Sequence, residues 1–216
     1  MPRLSEDIAA AGVIADRLEL ADWRRQVSEL YALIRAEPDP IAAWTHWCAV
    51  RECLFRTHSQ SPVPARERGS ATTPVYYEYD AALRTVADVQ AADGATFELP
   101  GSTSRHVSAE RAGTAQFSLG GKPISLSMFW LLDYAGGFFL SFRDATSGSE
   151  TYGAGRYLLD TAKSADLGAD RDGRLILDFN FSYQPSCSYD RRWSCPLPPR
   201  ENWLSIPIRA GERLRS

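Results

Sequence analysis

The chain has 216 residues, which is long enough for one generous domain with a complete apolar core, so it needs no disulfide or metal to fold. A hydrophobic content of 44% and a charged content of 24% are ordinary for a globular protein. The formal net charge of -3 leaves no basic footprint, which argues against nucleic-acid and anionic-membrane partners.

The amino-terminal stretch MPRLSEDIAAAGVIADRLEL has acidic residues where a secretory signal would have an unbroken apolar run. We therefore expect a cytoplasmic protein. Four cysteines in such a reducing compartment argue against a disulfide framework.

Two helices are predicted first. The first helix ends before Pro38 and has an apolar stripe formed by Trp23, Val27, Leu30, Tyr31 and Ile34. Asp39 then fits an N-cap with Pro40 at the first helical position, and the second helix runs to about His58. One side of this helix carries Trp44, Cys48 and Phe55. Both stripes need a cover, so we expect the helices to pack on a sheet or an open barrel end.

The rest of the chain has the pattern of a β domain. Residues 59–74 have connector composition, and ten short β-branched or aromatic segments follow over residues 75–216. The likeliest tight turns are GG at 120–121, AGG at 135–137 and DRDG at 170–173. The prediction is a mainly β fold, an antiparallel β-barrel or sandwich, with the helical segment 1–58 packed on it.

Strand alternation groups the polar side chains. In RLILDFNFSY, Asp178 and Asn180 share a face, whereas Arg143 and Asp144 in GFFLSFRD point to opposite faces. The inner face of a barrel could line a pocket in which a carboxylate, an amide and a guanidinium orient a polar ligand. A solvated outer face with a surface ion pair is the other reading.

The turn SGSETYGAGR fails the tests for a Walker loop and for a dinucleotide fingerprint, because it lacks Gly-Lys-Ser/Thr and Leu158 occupies the third Gly position. Its backbone N–H groups could still form an anion nest flanked by Arg143 and Arg156. A structural hairpin is the commoner use of such glycines.

A proline-rich loop follows, in which Cys187 and Cys195 stand eight residues apart. This is not the spacing of a metal site. The cysteines are buried small groups, a loop clip under oxidation, or a nucleophile with a histidine base. Glu201 and Asn202 close the loop, and the latter suits a backbone bond. His58 fits either a helix-dipole partner or an acid/base group.

The blocks FRDATSGSETYGAGRYL and LDFNFSYQPSCSYDRRWSCPLPPRENW, with AGE after them, resemble the signature of an uncharacterised prokaryotic family, domain of unknown function family 1684. The resemblance covers roughly residues 55 to 213, and it implies a bacterial source but no activity. The sequence departs from the family pattern at Ala154, Ser186 and Arg200. The residues that match it include Arg143, Asp144, Thr146, Tyr152, Arg156, Asp178, Asn180, Tyr183, Cys187, Cys195, Glu201, Asn202 and Glu212.

Such a recurring polar set exceeds what a β domain needs to fold. We predict a pocket protein, a metal-independent enzyme that uses acid/base chemistry on a small anionic metabolite, a carboxylate or phosphate, without a cofactor. The predicted catalytic residues are Asp178, His58 and Tyr183. The predicted ligand-binding residues are Arg143, Asp144, Thr146, Tyr152, Arg156, Asn180, Cys187, Cys195, Glu201 and Asn202. A binding or sensing module and a purely structural polar network are the alternatives, and a homodimer is compatible with the sequence.

Overall fold

A computed structural model describes residues 3–69, 72–132 and 136–215, with side chains from residue 12 onward. Helix α1 spans Arg3–Ala36 and helix α2 spans Pro40–Thr57. The predicted cap is confirmed: the Asp39 side chain accepts the Ile41 N–H at 2.9 Å, and Pro40 opens the helix. The short connection makes the helices an antiparallel pair, in which the Trp47 indole N–H donates to the Tyr31 hydroxyl at 3.2 Å.

The β region has nine strands in the described residues, all paired antiparallel. They are β1 (Val75–Tyr76), β2 (Arg84–Ala91), β3 (Thr96–Leu99), β4 (Val107–Leu119), β5 (Lys122–Leu131), β6 (Gly137–Phe142), β7 (Arg156–Asp160), β8 (Leu175–Asp178) and β9 (Glu212–Arg213). The main sheet has the order β7-β6-β5-β4-β2-β8, with β3 also on β4, while β1 and β9 form a separate ribbon.

The main sheet curls into a half-barrel. Tyr157 on its β7 edge exchanges two backbone hydrogen bonds, of 2.8 and 3.1 Å, with Tyr183, five residues after the β8 edge ends. The predicted class, mainly β with an amino-terminal helix pair, is confirmed. Among the described helices, none combines the length and the apolarity that a bilayer crossing needs.

Several element boundaries differ from the sequence-based expectation. Two predicted segments are one strand, β4, which a bulge between Arg111 and Gly113 kinks. The segment RLILDFNFSY is a strand only to Asp178, because that side chain accepts the Asn180 N–H and starts a 3-10 turn. SIPIRAGE contributes only its last residue to a strand.

The predicted turns agree with the structure more closely than the predicted strand ends do. Gly120 and Gly121 have φ of 55° and 75°, as a two-residue hairpin turn requires. In DRDG, the Gly173 N–H closes the turn on the Asp170 carbonyl at 3.1 Å. The AGG turn includes position 135, which lies outside the described residues.

Apolar side chains fill the interior of the half-barrel, among them Phe117, Leu126, Phe142, Leu177, Phe179 and Ile208. A second cluster joins the helices to the barrel and includes Leu30, Tyr31, Ile34, Trp47 and Phe181. A third cluster, with Leu99, Phe129, Phe139, Tyr157 and Cys195, has Tyr183 and Cys187 packed against it. The prediction that the helices pack on the β domain is therefore confirmed.

Candidate functional site

Asp178 and Asn180 form a buried polar junction. Both side chains have no exposed surface, and Asn180 donates to Asp178 through its backbone N–H at 3.0 Å and its amide at 2.8 Å. The other Asp178 oxygen accepts from the Tyr79 hydroxyl at 3.0 Å and from Arg84 at 3.3 Å. Asn180 also pairs with the backbone N–H and carbonyl of Asp80. Burial raises the pKa of Asp178, and the hydrogen bonds oppose it.

This junction differs from the predicted pocket wall. Asp178 and Asn180 do meet, but through a capped 3-10 turn, not through a shared strand face. The guanidinium beside Asp178 belongs to Arg84, whereas Arg143 stacks on Trp203 and Arg156 pairs with Asp144. The arrangement ties the end of β8 to the segment that precedes β2.

Arg156 and Asp144 form a second buried cluster. The Arg156 side chain has no exposed surface, and its guanidinium lies 3.3 Å from the Asp144 carboxylate. Asp144 also accepts the Thr146 hydroxyl at 2.8 Å and the Ile208 N–H at 2.7 Å. The remaining acceptors of the guanidinium are the carbonyls of Ile208, Ala210 and Glu212. Because these carbonyls belong to the carboxy-terminal segment, the pair clamps that segment onto the barrel, and we call it the Arg156 clamp. Burial lowers the pKa of Arg156, and the Asp144 charge opposes this effect.

The turn at 146–155 is a structural hairpin in its first half. Every backbone N–H from residue 147 to residue 151 donates to a carbonyl between residues 144 and 151, so these groups follow the hairpin alternative and not the anion nest. Gly155 has φ of +99°, and a Cβ there would lie 2.5 Å from the Phe142 carbonyl oxygen. Close approach of two backbones explains that glycine.

The loop residues face the outside or the backbone. Arg143 stacks on Trp203, 4.1 Å from the ring centroid, and Glu201 pairs with Arg111 at 2.6 Å. Asn202 is fully buried and bonds backbone as expected: it accepts the Ser127 N–H at 2.8 Å and donates to two carbonyls.

His58 lies at a groove of about 560 Å³ between α1 and α2. Its Nδ1 accepts the Gln60 N–H at 3.1 Å, so its Nε2, which lies 3.3 Å from Asp22, is assigned the proton. The ring also contacts Trp23 edge-on at 5.2 Å. None of these contacts is with the Asp178 junction.

Tyr152, Cys187 and Cys195, all predicted from the sequence, come together with Ser102. We call these four residues the thiol cluster. The half-buried Cys187 sulfur lies 3.8 Å from the Tyr152 hydroxyl, and the Cys187 N–H donates to the Cys195 sulfur at 3.4 Å. The Ser102 hydroxyl accepts the Cys195 N–H at 3.0 Å and donates to the Trp193 carbonyl at 3.3 Å.

The neighbouring Cys195 and Tyr152 side chains favour a thiolate at Cys187. The hydrogen bond from Cys195 is the largest cause that lowers the pKa of Cys187 to about 6, against the opposing effect of burial. The same bond, with burial, raises the pKa of Cys195. Burial also raises the pKa of Tyr152 to about 12, so that hydroxyl keeps its proton and donates it.

Two cations act on the thiol cluster. The Lys163 charge lowers the pKa of Cys195, although less than other groups raise it, and the Arg191 charge lowers that of Tyr152. Lys163 Nζ lies 2.9 Å from Asp160 and 5.8 Å from the Tyr157 ring centroid. The Tyr183 ring packs on Tyr157 at 5.6 Å, which brings this predicted catalytic residue to the same region. Sequence reasoning missed Lys163 as a site residue; its rarity, as one of only two lysines, was the available signal.

A buried ion pair links α2 to β9. Glu212 has no exposed surface, and Arg51 donates to it at 2.8 Å. Glu212 also accepts the Gln184 N–H at 3.1 Å and the Tyr189 hydroxyl. Burial raises the pKa of Glu212 to about 7 although Arg51 opposes it. Arg51 was missed, yet it stands on the same helical stripe as Trp44, Cys48 and Phe55.

The predicted site residues thus fall into separate groups: the Asp178 junction, the Arg156 clamp, the outer loop, the thiol cluster with Tyr183 beside it, and His58 alone. Within the described ranges, no three His, Cys, Asp or Glu residues are grouped as ligands for a metal ion would be.

Residues 72–213 match a family described as "Protein of unknown function (DUF1684)". The chain belongs to this family. The match begins later than the resemblance at residue 55 suggested, so helices α1 and α2 lie outside it. The chain is also similar to an uncharacterised protein of Haloarcula marismortui, known from a solution NMR structure, with 34% identity and a TM-score of 0.58. That similarity covers 79% of this chain and 93% of the other. No curated protein matches the sequence.

Proposed function

We propose that the protein is a metal-independent enzyme that acts on a small anionic metabolite, with Cys187 as the nucleophile and Tyr152 as the proton donor. The observation that carries this proposal is the half-buried Cys187 sulfur, which lies 3.8 Å from the Tyr152 hydroxyl, while the Cys187 N–H donates to the Cys195 sulfur. Four residues predicted from the sequence, Tyr152, Tyr183, Cys187 and Cys195, support it by lying in this one region.

The chemistry follows from the protonation states. A thiolate is the reactive form of cysteine, and a lowered pKa supplies it at neutral pH without a histidine base. Attack on an electrophilic carbon forms an S–C bond and breaks the bond to a leaving group. Tyr152, protonated at neutral pH, donates the proton that the leaving group needs.

An anionic substrate is supported by Lys163 and Arg191, the two cations that act on the cluster. Lys163 keeps 62% of its side chain exposed although it pairs with Asp160, so it can still reach a ligand. The two arginines predicted from the sequence are less suited to bind an anionic substrate. Arg156 donates its hydrogen bonds to Asp144 and to three carbonyls, and Arg143 stacks on Trp203.

The two remaining polar clusters, the Asp178 junction and the Arg156 clamp, have a structural role in this proposal. The Asp178 junction and the Arg156 clamp each direct their hydrogen bonds to backbone groups and to side chains of their own cluster, and apolar side chains fill the space that the predicted pocket needed.

The test measures the rate of alkylation of Cys187 by iodoacetamide against pH, with peptide mass spectrometry to separate the four cysteines. We expect half of the limiting rate near pH 6, because the thiolate is the reacting form. Tyr152→Phe removes one donor and should move that midpoint upward. The matched control, Cys53→Ser, changes an exposed cysteine of α2 and should leave the midpoint unchanged.

A thermal-shift screen of carboxylates and phosphates then looks for the substrate. A compound that stabilises the wild type should lose its effect in Lys163→Met and should react only when Cys187 is present. A Cys187 midpoint near pH 9 would contradict the nucleophile. A ligand that binds equally well to Cys187→Ser and is never turned over would leave a binding or sensing module instead.

A further inference from the structure

Cys187 and Cys195 are both free thiols, and the two residues are in contact. The Cys187 N–H donates to the Cys195 sulfur at 3.4 Å, which puts the Cys187 Cα within about 5 Å of that sulfur, since an N–Cα bond is about 1.5 Å long. A disulfide needs Cα atoms roughly 4.4–6.8 Å apart, and a Cys187 Cα this close to the Cys195 sulfur allows a separation in that range.

The two cysteines differ in anchoring and in access to solvent. Cys195 is anchored to the loop between β3 and β4: its N–H donates to the Ser102 hydroxyl at 3.0 Å, and its carbonyl accepts the Ser102 N–H at 2.8 Å. It is only 8% exposed. Cys187 lies in the short 3-10 turn Ser186–Ser188 and is more exposed, so a reagent from solvent meets Cys187 first.

We propose that Cys187 and Cys195 are a peroxide-reactive dithiol, which a hydroperoxide converts into a reversible intramolecular disulfide. Cys187 is the residue that the peroxide oxidises, and Cys195 is the residue that resolves the product. The consequence for activity, loss of the Cys187 nucleophile on oxidation, rests on the proposed function, whereas the chemistry itself does not.

The reaction balances in two steps. The Cys187 thiolate attacks one peroxide oxygen, so an S–O bond forms and the O–O bond breaks. The sulfur loses two electrons and becomes a sulfenic acid, while the peroxide is reduced and leaves as an alkoxide or hydroxide that takes a proton from solvent. The Cys195 sulfur then attacks the Cys187 sulfur, forming the S–S bond as the S–O bond breaks. The departing hydroxide takes the Cys195 thiol proton and leaves as water.

The hydrogen bonds around the pair suit both steps. The Tyr152 hydroxyl lies 3.8 Å from the Cys187 sulfur and favours its thiolate for the first step. The raised pKa of Cys195 keeps its proton until the second step. The Arg191 charge, from the loop, acts on Tyr152, and the Lys163 charge, from the turn after β7, acts on Cys195.

The experiment treats the reduced full-length protein with hydrogen peroxide, blocks free thiols and maps the peptides by mass spectrometry. We expect a peptide pair joined through Cys187 and Cys195, with a mass loss of two hydrogens, that dithiothreitol reverses. In Cys195→Ser the sulfenic acid at Cys187 should persist, so trapping by dimedone should rise about tenfold over the wild type. Cys53→Ser should behave as the wild type does.

Other products would overturn the proposal: over-oxidised Cys187 with Cys195 still free, a disulfide to Cys48 or Cys53, or equal dimedone trapping with and without Cys195. Cys195→Ala serves as a second variant if the serine protein is unstable. The alkylation profile of Cys187 in the wild type, measured beside the peroxide experiment, separates the two proposals. A reactive Cys187 that never forms the disulfide leaves the proposed function standing, and a disulfide in a protein without turnover leaves the dithiol standing.

Discussion

Arg156 is a positive charge without exposed surface, held by Asp144 and by carbonyls of the carboxy-terminal segment. Arg156→Ala would leave the Asp144 carboxylate buried without its counter-charge and would free several carbonyls at once. Breaking one side of a buried pair typically costs about 3–5 kcal/mol. We expect a loss of that size in the free energy of unfolding, measured by urea denaturation.

The matched control for the clamp is Arg143→Ala. Arg143 stands one residue from Asp144, is partly exposed and stacks on Trp203, so its removal should lower the free energy of unfolding by less than about 1 kcal/mol. Equal stability of the two variants would contradict the clamp and would return Arg156 to the list of ligand-binding candidates.

For single residues, the sequence indicated which polar side chains are buried in clusters better than it indicated which residues they contact. Asp178 and Asn180 were correctly paired, because they are two positions apart and any local conformation keeps them close. Their other partners, Tyr79 and Asp80, lie about a hundred residues earlier in the chain. Such contacts depend on the β2–β8 pairing, which no local pattern specifies.

At the element scale, local rules worked where local interactions decide. The start of α2 is set by the Asp39 side chain and by the fixed φ of Pro40, both readable from adjacent residues. The end of β8 was mispredicted because alternation continues through Phe179 and Phe181 in the sequence. The Asp178 cap breaks the strand conformation there, and the apolar residues are buried by a 3-10 turn instead.

The link between α2 and β9 predicts a pH dependence of stability. The pKa of Glu212 rises from 4.5 to about 7 on folding, so the folded state binds the proton more tightly than the unfolded state. Stability from this group is fully present below pH 4.5 and is lost as the pH rises to 7. The loss is on the order of 3 kcal/mol.

Glu212→Gln isolates this effect, because glutamine has a similar shape and cannot titrate. The free energy of unfolding, measured by urea denaturation between pH 4.5 and 8, should fall less steeply with pH in the variant than in the wild type. Glu201→Gln is the control, since Glu201 forms a partly exposed pair with Arg111. Parallel pH curves for the wild type and Glu212→Gln would show that Arg51 fully compensates the burial of the carboxylate.

At the scale of the whole molecule, the helix pair and the half-barrel share one apolar cluster. Trp47 of α2 has no exposed surface and packs on Phe181 at 5.3 Å and on Tyr76 at 5.2 Å. The Arg51 guanidinium lies 5.0 Å from the Tyr183 ring and pairs with Glu212. The sequence predicted that the helices pack on the β domain but not which residues of that domain they contact. An apolar stripe shows that one face of a helix is buried, but it does not show which element buries that face.

A shared cluster predicts that helices and barrel unfold in one transition. Thermal unfolding followed by far-UV circular dichroism, which reports the helices, should coincide with hydrogen exchange in β4 and β5. Trp47→Leu shrinks the shared cluster and should lower both transitions together, by about 2–4 kcal/mol of unfolding free energy. Leu33→Ala changes an exposed position of α1 and should move neither by more than about 0.5 kcal/mol. Helices that melt first in Trp47→Leu while β4 and β5 stay protected would mean that the barrel is stable without its cover.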